Sequence, residues 1–351
     1  MNAVREKDSL ETSITEAPIS TAAKNRLLEL LWGACPVACT PVSFFEYYAQ
    51  QCDFFSIAQS ESRPIFGDAS GHITTHQELA DIATKLVDGH RTREDVVAEL
   101  LAAKTLPNVS NANEDVENSV DWAARALTCA EIGALRCAYT SRRPLLWEKG
   151  SLRDFLADVF SSNKTSNAHV RLEKTFNARS LERLAGISIE WTNDLSSHLS
   201  LRDDDTKVLL FHQATFLENV KHDIFPTNLC EETLRTLALL LPSSDRDIRR
   251  WYAKQQSAHN LDIKAVHCRK LRADDRQIEN FHYWGERLSI LKQVFDEAEP
   301  NTLSQWWYDR RKGPQWYTFW VAITVLALTV FFGVVQSVEG ALQVYKAYHP
   351  S

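Results

Sequence analysis

Residues 316–335 read WYTFWVAITVLALTVFFGVV, and this stretch decides how the rest of the chain is interpreted. It runs for about twenty residues without a charge, and a helix of that length spans the roughly 30 Å hydrocarbon core of a bilayer. Trp316, Tyr317 and Trp320 gather at its start, where aromatic rings favour the headgroup level. The stretch therefore predicts one transmembrane helix; a fully buried helix in a soluble core is the alternative.

The charges on either side of this stretch predict its orientation. Arg310, Arg311 and Lys312 precede it at the membrane interface, and only Lys346 follows. Because positive residues are retained on the cytosolic side, the large N-terminal part is expected in the cytosol. The first residues contain no apolar segment typical of a signal peptide, so the sequence predicts a single-pass, tail-anchored membrane protein. The weakly charged tail favours the endomembrane system over the mitochondrial outer membrane.

The residues after the apolar stretch continue at helical spacing. Residues 336–351 predict a short helical tail, with Tyr345 as an aromatic anchor at the far interface. Small side chains recur at every fourth position, which lets two membrane helices approach closely, so the pattern allows a homodimer; chance alignment is the alternative. These small residues are Thr329, Gly333, Ser337 and Ala341.

Composition restricts what the rest of the chain can do. Of its 351 residues, 44% are hydrophobic and 24% are charged, which is enough to form a folded core. The net charge of −7 argues against a general nucleic-acid binder, and the seven scattered cysteines are not typical of a small disulfide scaffold. The expected partners are the lipid bilayer and other proteins, and not nucleic acid.

The body before the membrane stretch is predicted to be mainly α-helical. Residues 1–23 are polar and predict a disordered arm, and residues 24–300 predict a helical soluble body. Polar stretches near 105–118 and 161–168 are the candidate boundaries within this body. Residues 301–315 predict a juxtamembrane helix that leads directly into the membrane stretch.

Local signals place several helix ends within this body. Ser43 with Glu46, and Thr75 with Glu78, have the spacing of a capping box, in which two side chains satisfy the first backbone donors of a helix. Asn177 is predicted to cap a helix that runs through Leu184. Apolar residues at spacings of three and four predict one amphipathic helix over residues 278–295. A core position is the first interpretation of this helix, and a partner-binding face is the second.

The middle of the body predicts a small β-structure. Residues 187–191 alternate apolar and polar side chains, as a half-buried strand does. Residues 198–201 and 207–211 predict a hairpin around the acidic turn at residues 203–205. A helix followed by such a hairpin is the outline of a winged helix, but the acidic tip argues against contact with DNA phosphates.

Four blocks of sequence carry a resemblance to known proteins: residues 306–311 (WWYDRR), 315–322 (QWYTFWVA), 336–345 (QSVEGALQVY) and 186–192 (GISIEWT). The chain resembles a large group of uncharacterised proteins from filamentous fungi that share this membrane end. The similarity extends over roughly the last half of the chain. The resemblance implies membrane placement and adds no chemistry.

The sequence predicts no catalytic, cofactor-binding or metal-ligating residues. It contains no glycine loop for phosphate, no nucleophile elbow and no HExxH pair. Cys35 and Cys39 lie within ligand distance in sequence but have no matching second pair, so buried thiols are favoured over zinc. Two functions stay open: a membrane-tethered interaction or scaffold protein, or a membrane-bound enzyme of unrecognised class whose residues would line a deep pocket.

Overall fold

The computed structural model shows a mainly α-helical chain with a small sheet in its middle and one long apolar helix near the C-terminus. This confirms the fold class predicted from the sequence. The structure describes residues 10–14, 20–34, 41–62, 73–103, 112–133, 145–161, 170–298 and 313–348.

Within the described residues, six helices form the first half of the body. They are α1 (Thr21–Trp32), α2 (Val42–Ser62), α3 (His76–Val87), α4 (Arg93–Ala103), α5 (Ala112–Thr128) and α6 (Leu152–Val159).

The second half contains the sheet and the remaining helices. The elements are α7 (Ala178–Ser180), which continues as a π-helical turn (Leu181–Ala185), β1 (Ser188–Thr192), β2 (Leu201–Arg202), β3 (Lys207–Phe211), α8 (Ala214–Asn219), α9 (Leu229–Leu240), α10 (Arg246–His259), α11 (Gly285–Glu297) and α12 (Gly313–Tyr348).

An aromatic core joins α2 to α5. The rings of Phe55 and Trp122 stack with centroids 4.6 Å apart, and Tyr48 stacks on Trp122 at 6.3 Å. Trp32 of α1 meets Phe44 edge to face at 4.7 Å. Aromatic pairs at these distances add to the stability that burial alone provides, so this cluster fixes how the first helices pack.

Side-chain caps begin several helices as the sequence predicts. The Thr75 hydroxyl accepts the Glu78 N–H at 3.2 Å, and the Asn177 side chain accepts the Ser180 N–H at 2.9 Å. The Ser43 cap is wrong, because α2 already begins at Val42 and the Ser43 hydroxyl donates instead to Gln213 Oε1 at 2.9 Å. The Ser43 hydroxyl, which the sequence predicted as a helix cap, therefore bonds a residue far away in the sequence.

The predicted disordered arm is wrong for the described part of residues 1–23. Leu10 and Ile14 are buried in the core, and the Gln77 N–H donates to the Leu10 carbonyl at 2.8 Å. The Ile14 N–H donates to the Thr74 carbonyl at 3.0 Å, and α1 begins at residue 21. Two apolar side chains and a few backbone hydrogen bonds are enough to order a segment whose composition is otherwise polar. Residues 1–9 and 15–19 lie outside the described part.

The sheet has three strands in the order β1–β3–β2. Strands β2 and β3 form the predicted antiparallel hairpin, with Leu201 opposite Val208. Strand β1 pairs with β3 in parallel, from Ser188 opposite Lys207 to Thr192 opposite Phe211. The sheet is therefore mixed, and the parallel pairing departs from the helix-and-hairpin outline that suggested a winged helix.

The single helix predicted over residues 278–295 is interrupted. The chain forms a 3₁₀ turn at Ile278–Asn280, and α11 begins only at Gly285. Between them, the buried carboxylate of Glu232 on α9 accepts backbone N–H groups from three consecutive residues at 2.8–2.9 Å. These groups cannot join a continuous helix, since they donate to Glu232. The three donors belong to His282, Tyr283 and Trp284.

Gly133 approaches a buried ion pair, which gives a stability prediction. A Cβ at this position, where φ is +85°, would lie 2.2 Å from Asp121 Oδ2, and Asp121 bonds Arg93 Nη2 at 3.0 Å. We expect Gly133→Ala to lower the free energy of unfolding by about 3 kcal/mol, from backbone strain and displacement of the carboxylate. Urea unfolding of the full chain in mild detergent, followed by tryptophan fluorescence, measures this.

Gly150 is the matched control for Gly133. Its φ is +83°, but a Cβ there would meet no atom within 4 Å. Gly150→Ala should therefore cost only the backbone strain, about 1–2 kcal/mol. Equal losses for the two variants would contradict the close approach between Gly133 and Asp121.

Candidate functional site: the exposed apolar helix

Helix α12 is the described element that is long and apolar enough to cross a membrane. It has 36 residues, a length of about 54 Å at 1.5 Å per residue. Its most apolar part has a mean hydropathy of 2.3, and none of its side chains is buried within the protein. In a soluble protein such a helix would lie in the core, so the lack of any buried side chain in its apolar stretch separates α12 from the apolar helices of the body.

Three hydroxyl groups of α12 bond within the helix. Thr324 donates to the Trp320 carbonyl, Thr329 to the Val325 carbonyl and Ser337 to the Gly333 carbonyl, each at 2.8 Å. Lipid offers no partner for a polar group, so a hydroxyl at membrane depth must find one inside the protein. Thr324, Thr329 and Ser337 meet that condition.

Aromatic residues mark both ends of α12. The Trp316 ring lies 5.1 Å from Tyr317 and 6.2 Å from Trp320, centroid to centroid, and Tyr345 is exposed near the other end. Trp316 and Tyr345 are 29 residues apart on one continuous helix, about 44 Å, close to the 40–45 Å of a bilayer with its headgroups. The predicted interface residues Arg310, Arg311 and Lys312 lie outside the described part of the chain.

The predicted small-residue stripe lies on the surface of this helix. Thr329, Gly333, Ser337 and Ala341 follow one another at one-turn spacing, and a Cβ at Gly333 would meet no atom within 4 Å. A second helix could approach this face closely. The homodimer remains a prediction, because a stripe of small residues does not by itself identify what packs against it.

The body buries histidines that the sequence did not single out. His198 Nδ1 accepts the Phe211 N–H at 3.2 Å, so Nε2 carries the proton and donates to Thr236 Oγ1 at 2.6 Å. Burial lowers the pKa of His198 to about 3, and the nearby Arg287 guanidinium acts in the same direction. Both ring nitrogens are occupied by protein groups, so this neutral histidine holds strand β3 to α9.

His212 and Asp262 meet through the backbone and not as a catalytic pair. The Asp262 N–H donates to His212 Nδ1 at 3.3 Å, whereas the Asp262 carboxylate accepts the N–H and the hydroxyl of Thr215 at 2.5 and 2.9 Å. Burial lowers the pKa of His212 to about 3, and burial raises the pKa of Asp262 against the hydrogen bonds that lower it. The cluster fastens the residue 262 turn to α8.

A small surface cavity lies between α3, α4 and α5. It has a volume of about 150 Å³ and is lined by Ile73, Ile82 and other residues, including the charged Glu78 and Lys85. Glu78 accepts the Thr74 N–H at 2.7 Å, and Lys85 pairs with Glu99 at 3.0 Å. Pockets for drug-sized ligands measure about 300–1,000 Å³, so this cavity is below that range.

Comparison with protein family models, with curated proteins and with solved structures found no match to this chain. The resemblance to fungal proteins with the same membrane end therefore stays a prediction. The pair Cys35 and Cys39 lies outside the described residues, and the described residues contain no cluster of three or more His, Cys, Asp or Glu side chains that could hold a metal ion.

The buried His198 predicts a pH dependence of stability. Its pKa is about 3 in the folded chain and about 6.5 when unfolded, so only the unfolded state takes up the proton as the pH falls through 6.5. The contribution of neutral His198 to the free energy of unfolding is fully present at high pH. It decreases by about 2 kcal/mol between pH 7 and pH 5. We expect the difference in unfolding free energy between wild type and His198→Gln to shrink by that amount over this range.

Urea unfolding at both pH values measures this difference. An unchanged difference for His198→Gln would mean that this ring titrates equally in the folded and unfolded chains.

Proposed function

We propose that this chain is a membrane-anchored interaction protein, in which α12 spans a bilayer and the helical body works at the cytosolic face. The observation that carries the proposal is that a 36-residue helix contains a long apolar stretch of which no side chain is buried in the protein. An interaction module needs a body that is folded and held in place, and the chain provides both. Its partners are proteins at the same membrane surface.

Exposed apolar area supports the membrane placement. Leu326, Phe331 and Phe332 are 63%, 60% and 57% exposed, and many of their neighbours on α12 are similarly accessible. Removing one such side chain from water stabilises the protein by about 1.5–3 kcal/mol. A lipid bilayer would remove all these side chains from water at once. The described body does not bury them.

Flanking charge supports the orientation. Arg310, Arg311 and Lys312 precede α12 in the chain, whereas Lys346 lies near its other end, so the positive-inside rule favours a cytosolic body. The low positive charge after the span favours an endomembrane location. Because only residues 299–312 separate the described body from α12, the connection spans at most about 50 Å, which keeps the body close to the membrane.

The buried polar groups of the body favour an interaction role over catalysis. His198, His212 and Asp262 bond to other protein groups, and the cavity between α3, α4 and α5 is small. No described observation favours the membrane-bound enzyme, which stays a prediction. A deep pocket that gathers acidic and basic side chains would be its sign.

Membrane integration and orientation are tested on the full-length protein in isolated microsomes. We expect the protein to remain in the pellet after alkaline carbonate extraction, and external protease to digest the body while the vesicles stay sealed. Release by carbonate would contradict the anchor. A body protected from protease until detergent is added would contradict the orientation.

The interaction role is tested by affinity recovery from gently solubilised membranes. Full-length protein is compared with a chain that carries only residues 299–351 behind the same tag. We expect a set of proteins that is recovered with the full-length chain and absent with the short one. Identical sets would show that the body contributes no partner.

A further inference from the structure

Two segments about 100 residues apart in sequence meet at the surface of the body. Arg171 forms a backbone bridge with Gln277, the Leu172 N–H donates to the Arg276 carbonyl at 2.8 Å, and the Ile278 N–H donates to the Val170 carbonyl at 3.1 Å. These contacts bring residues 170–177 beside residues 267–276 and combine their charges on one surface.

That surface is strongly basic in an acidic protein. The two segments carry six cations and three carboxylates, whereas the whole chain has a net charge of −7. Five of the six cations are exposed, and the sixth, Arg276, is half-buried. We name this set the basic ridge; it consists of Arg171, Lys174, Arg269, Lys270, Arg272 and Arg276.

Carboxylates within the protein neutralise the basic ridge poorly. Among the described residues, its ion pair is Arg269 with Asp275 at 3.9 Å, and the Asp275 carboxylate also accepts the Arg272 N–H at 2.8 Å. Arg276 Nη1 is buried without a hydrogen-bond partner in the described part of the chain. Burial, and after it the positive charge of the neighbouring Arg171, lower the pKa of Arg276.

The basic ridge lies beside the place where the body leads towards the membrane. Phe176, in the first ridge segment, packs edge to face on Phe295 with centroids 5.6 Å apart. Phe295 belongs to the last turn of α11, which ends at Glu297. The described body therefore ends, at Ala298, three residues after a side chain that contacts the first ridge segment.

We propose that the basic ridge is a contact surface for the anionic phospholipid headgroups of the membrane that holds α12. This inference rests on the proposed membrane anchoring. Guanidinium groups bind phosphate oxygens through paired N–H donors, and the exposed Arg171, Arg269 and Arg272 present such groups at the surface. Each cation close to an anionic leaflet strengthens the contact about fivefold, so several exposed cations hold the body against the bilayer.

The test measures hydrogen–deuterium exchange of the full-length protein in vesicles. One preparation contains only phosphatidylcholine, and the other also contains phosphatidylserine. At low salt we expect amides of residues 170–177 and 267–276 to exchange at least threefold more slowly with phosphatidylserine, and high salt should remove the difference. Equal exchange in both lipids, with the protein still resistant to carbonate, overturns the ridge contact but leaves the anchor intact; loss to carbonate overturns the anchor itself.

Substitutions distinguish a contact at the basic ridge from an effect of the total charge of the protein. The variant R269Q/K270Q/R272Q alters exposed residues and should lose the lipid-dependent protection. The control K149Q/R153Q/K221Q removes three exposed cations on other elements and should retain it. Equal loss in both variants would mean that overall charge is responsible.

Inorganic phosphate added to phosphatidylcholine vesicles is the last part of the test. Protection by phosphate alone would assign the ridge to a soluble anion and overturn the lipid contact.

Discussion

Replacement of Val325 and Leu326 by arginine is expected to release the full-length protein into the carbonate supernatant. Both residues lie at the centre of the apolar stretch, with 57% and 63% of their side chains exposed. Each arginine at the middle of a membrane helix costs about 2.5–3.5 kcal/mol, so the pair costs about 5–7 kcal/mol. The measurement is the fraction of protein in the pellet after carbonate extraction of microsomes.

The same two charges near the end of α12 provide the control. Gln343→Arg with Val344→Arg adds them outside residues 316–335, where long basic side chains reach the interface. This variant should remain in the pellet like the wild type. If the Val325 and Leu326 variant also remained there, α12 would hold the protein by something other than insertion.

Replacement of Glu232 by alanine is expected to lower the free energy of unfolding by about 3 kcal/mol. Its carboxylate accepts three consecutive backbone N–H groups at 2.8–2.9 Å, and the side chain is almost fully buried. Removing it leaves donors of Tyr283 and Trp284 without a partner at the start of α11, where a negative charge also favours the helix. Urea unfolding of the full chain in mild detergent gives the value.

Glu231 is the control for Glu232, since it is the adjacent residue on the same helix. Its side chain is 62% exposed and makes one long contact with Arg235 at 3.4 Å. Glu231→Ala should change the unfolding free energy by less than about 0.5 kcal/mol. A third variant, Glu232→Gln, keeps one acceptor oxygen and should fall between the two. A small loss for Glu232→Ala would show that water replaces the carboxylate.

Sequence patterns predicted the elements that are stabilised by residues close to one another in the sequence. The apolar stretch around Leu326 needs no partner in the protein, so its composition alone identified it. The Thr75 and Asn177 caps depend on residues three positions away, and the structure confirms both. The hairpin of β2 and β3 likewise closes over a few residues.

Features that depend on residues distant in the sequence could not be predicted from local patterns. The apolar spacing over residues 278–295 continues through the break before α11, because the cause of the break is Glu232, some fifty residues earlier. Leu10 and Ile14 are two apolar residues in a polar segment, too few to give a periodic signal. The parallel pairing of β1 with β3 also joins residues that no local pattern connects.

The same distinction between local and distant contacts applies to the candidate site. The span and its aromatic ends were predicted from the sequence, because they belong to one continuous helix. The basic ridge was missed, although the run of Arg269, Lys270 and Arg272 is visible in the sequence. Its size becomes evident only when Arg171 is brought beside Arg276 by backbone pairing.

The unbroken length of α12 has a consequence for cellular sorting. Bilayers differ in thickness by only a few ångströms between the endoplasmic reticulum and the plasma membrane. The apolar stretch of α12 ends at Val335, and further exposed apolar side chains follow at Val338, Leu342 and Val344, so the helix can shift or tilt to suit either thickness. For the membrane anchor proposed here, bilayer thickness would therefore be a poor guide to the compartment, which lipid charge or the partners of the body would determine.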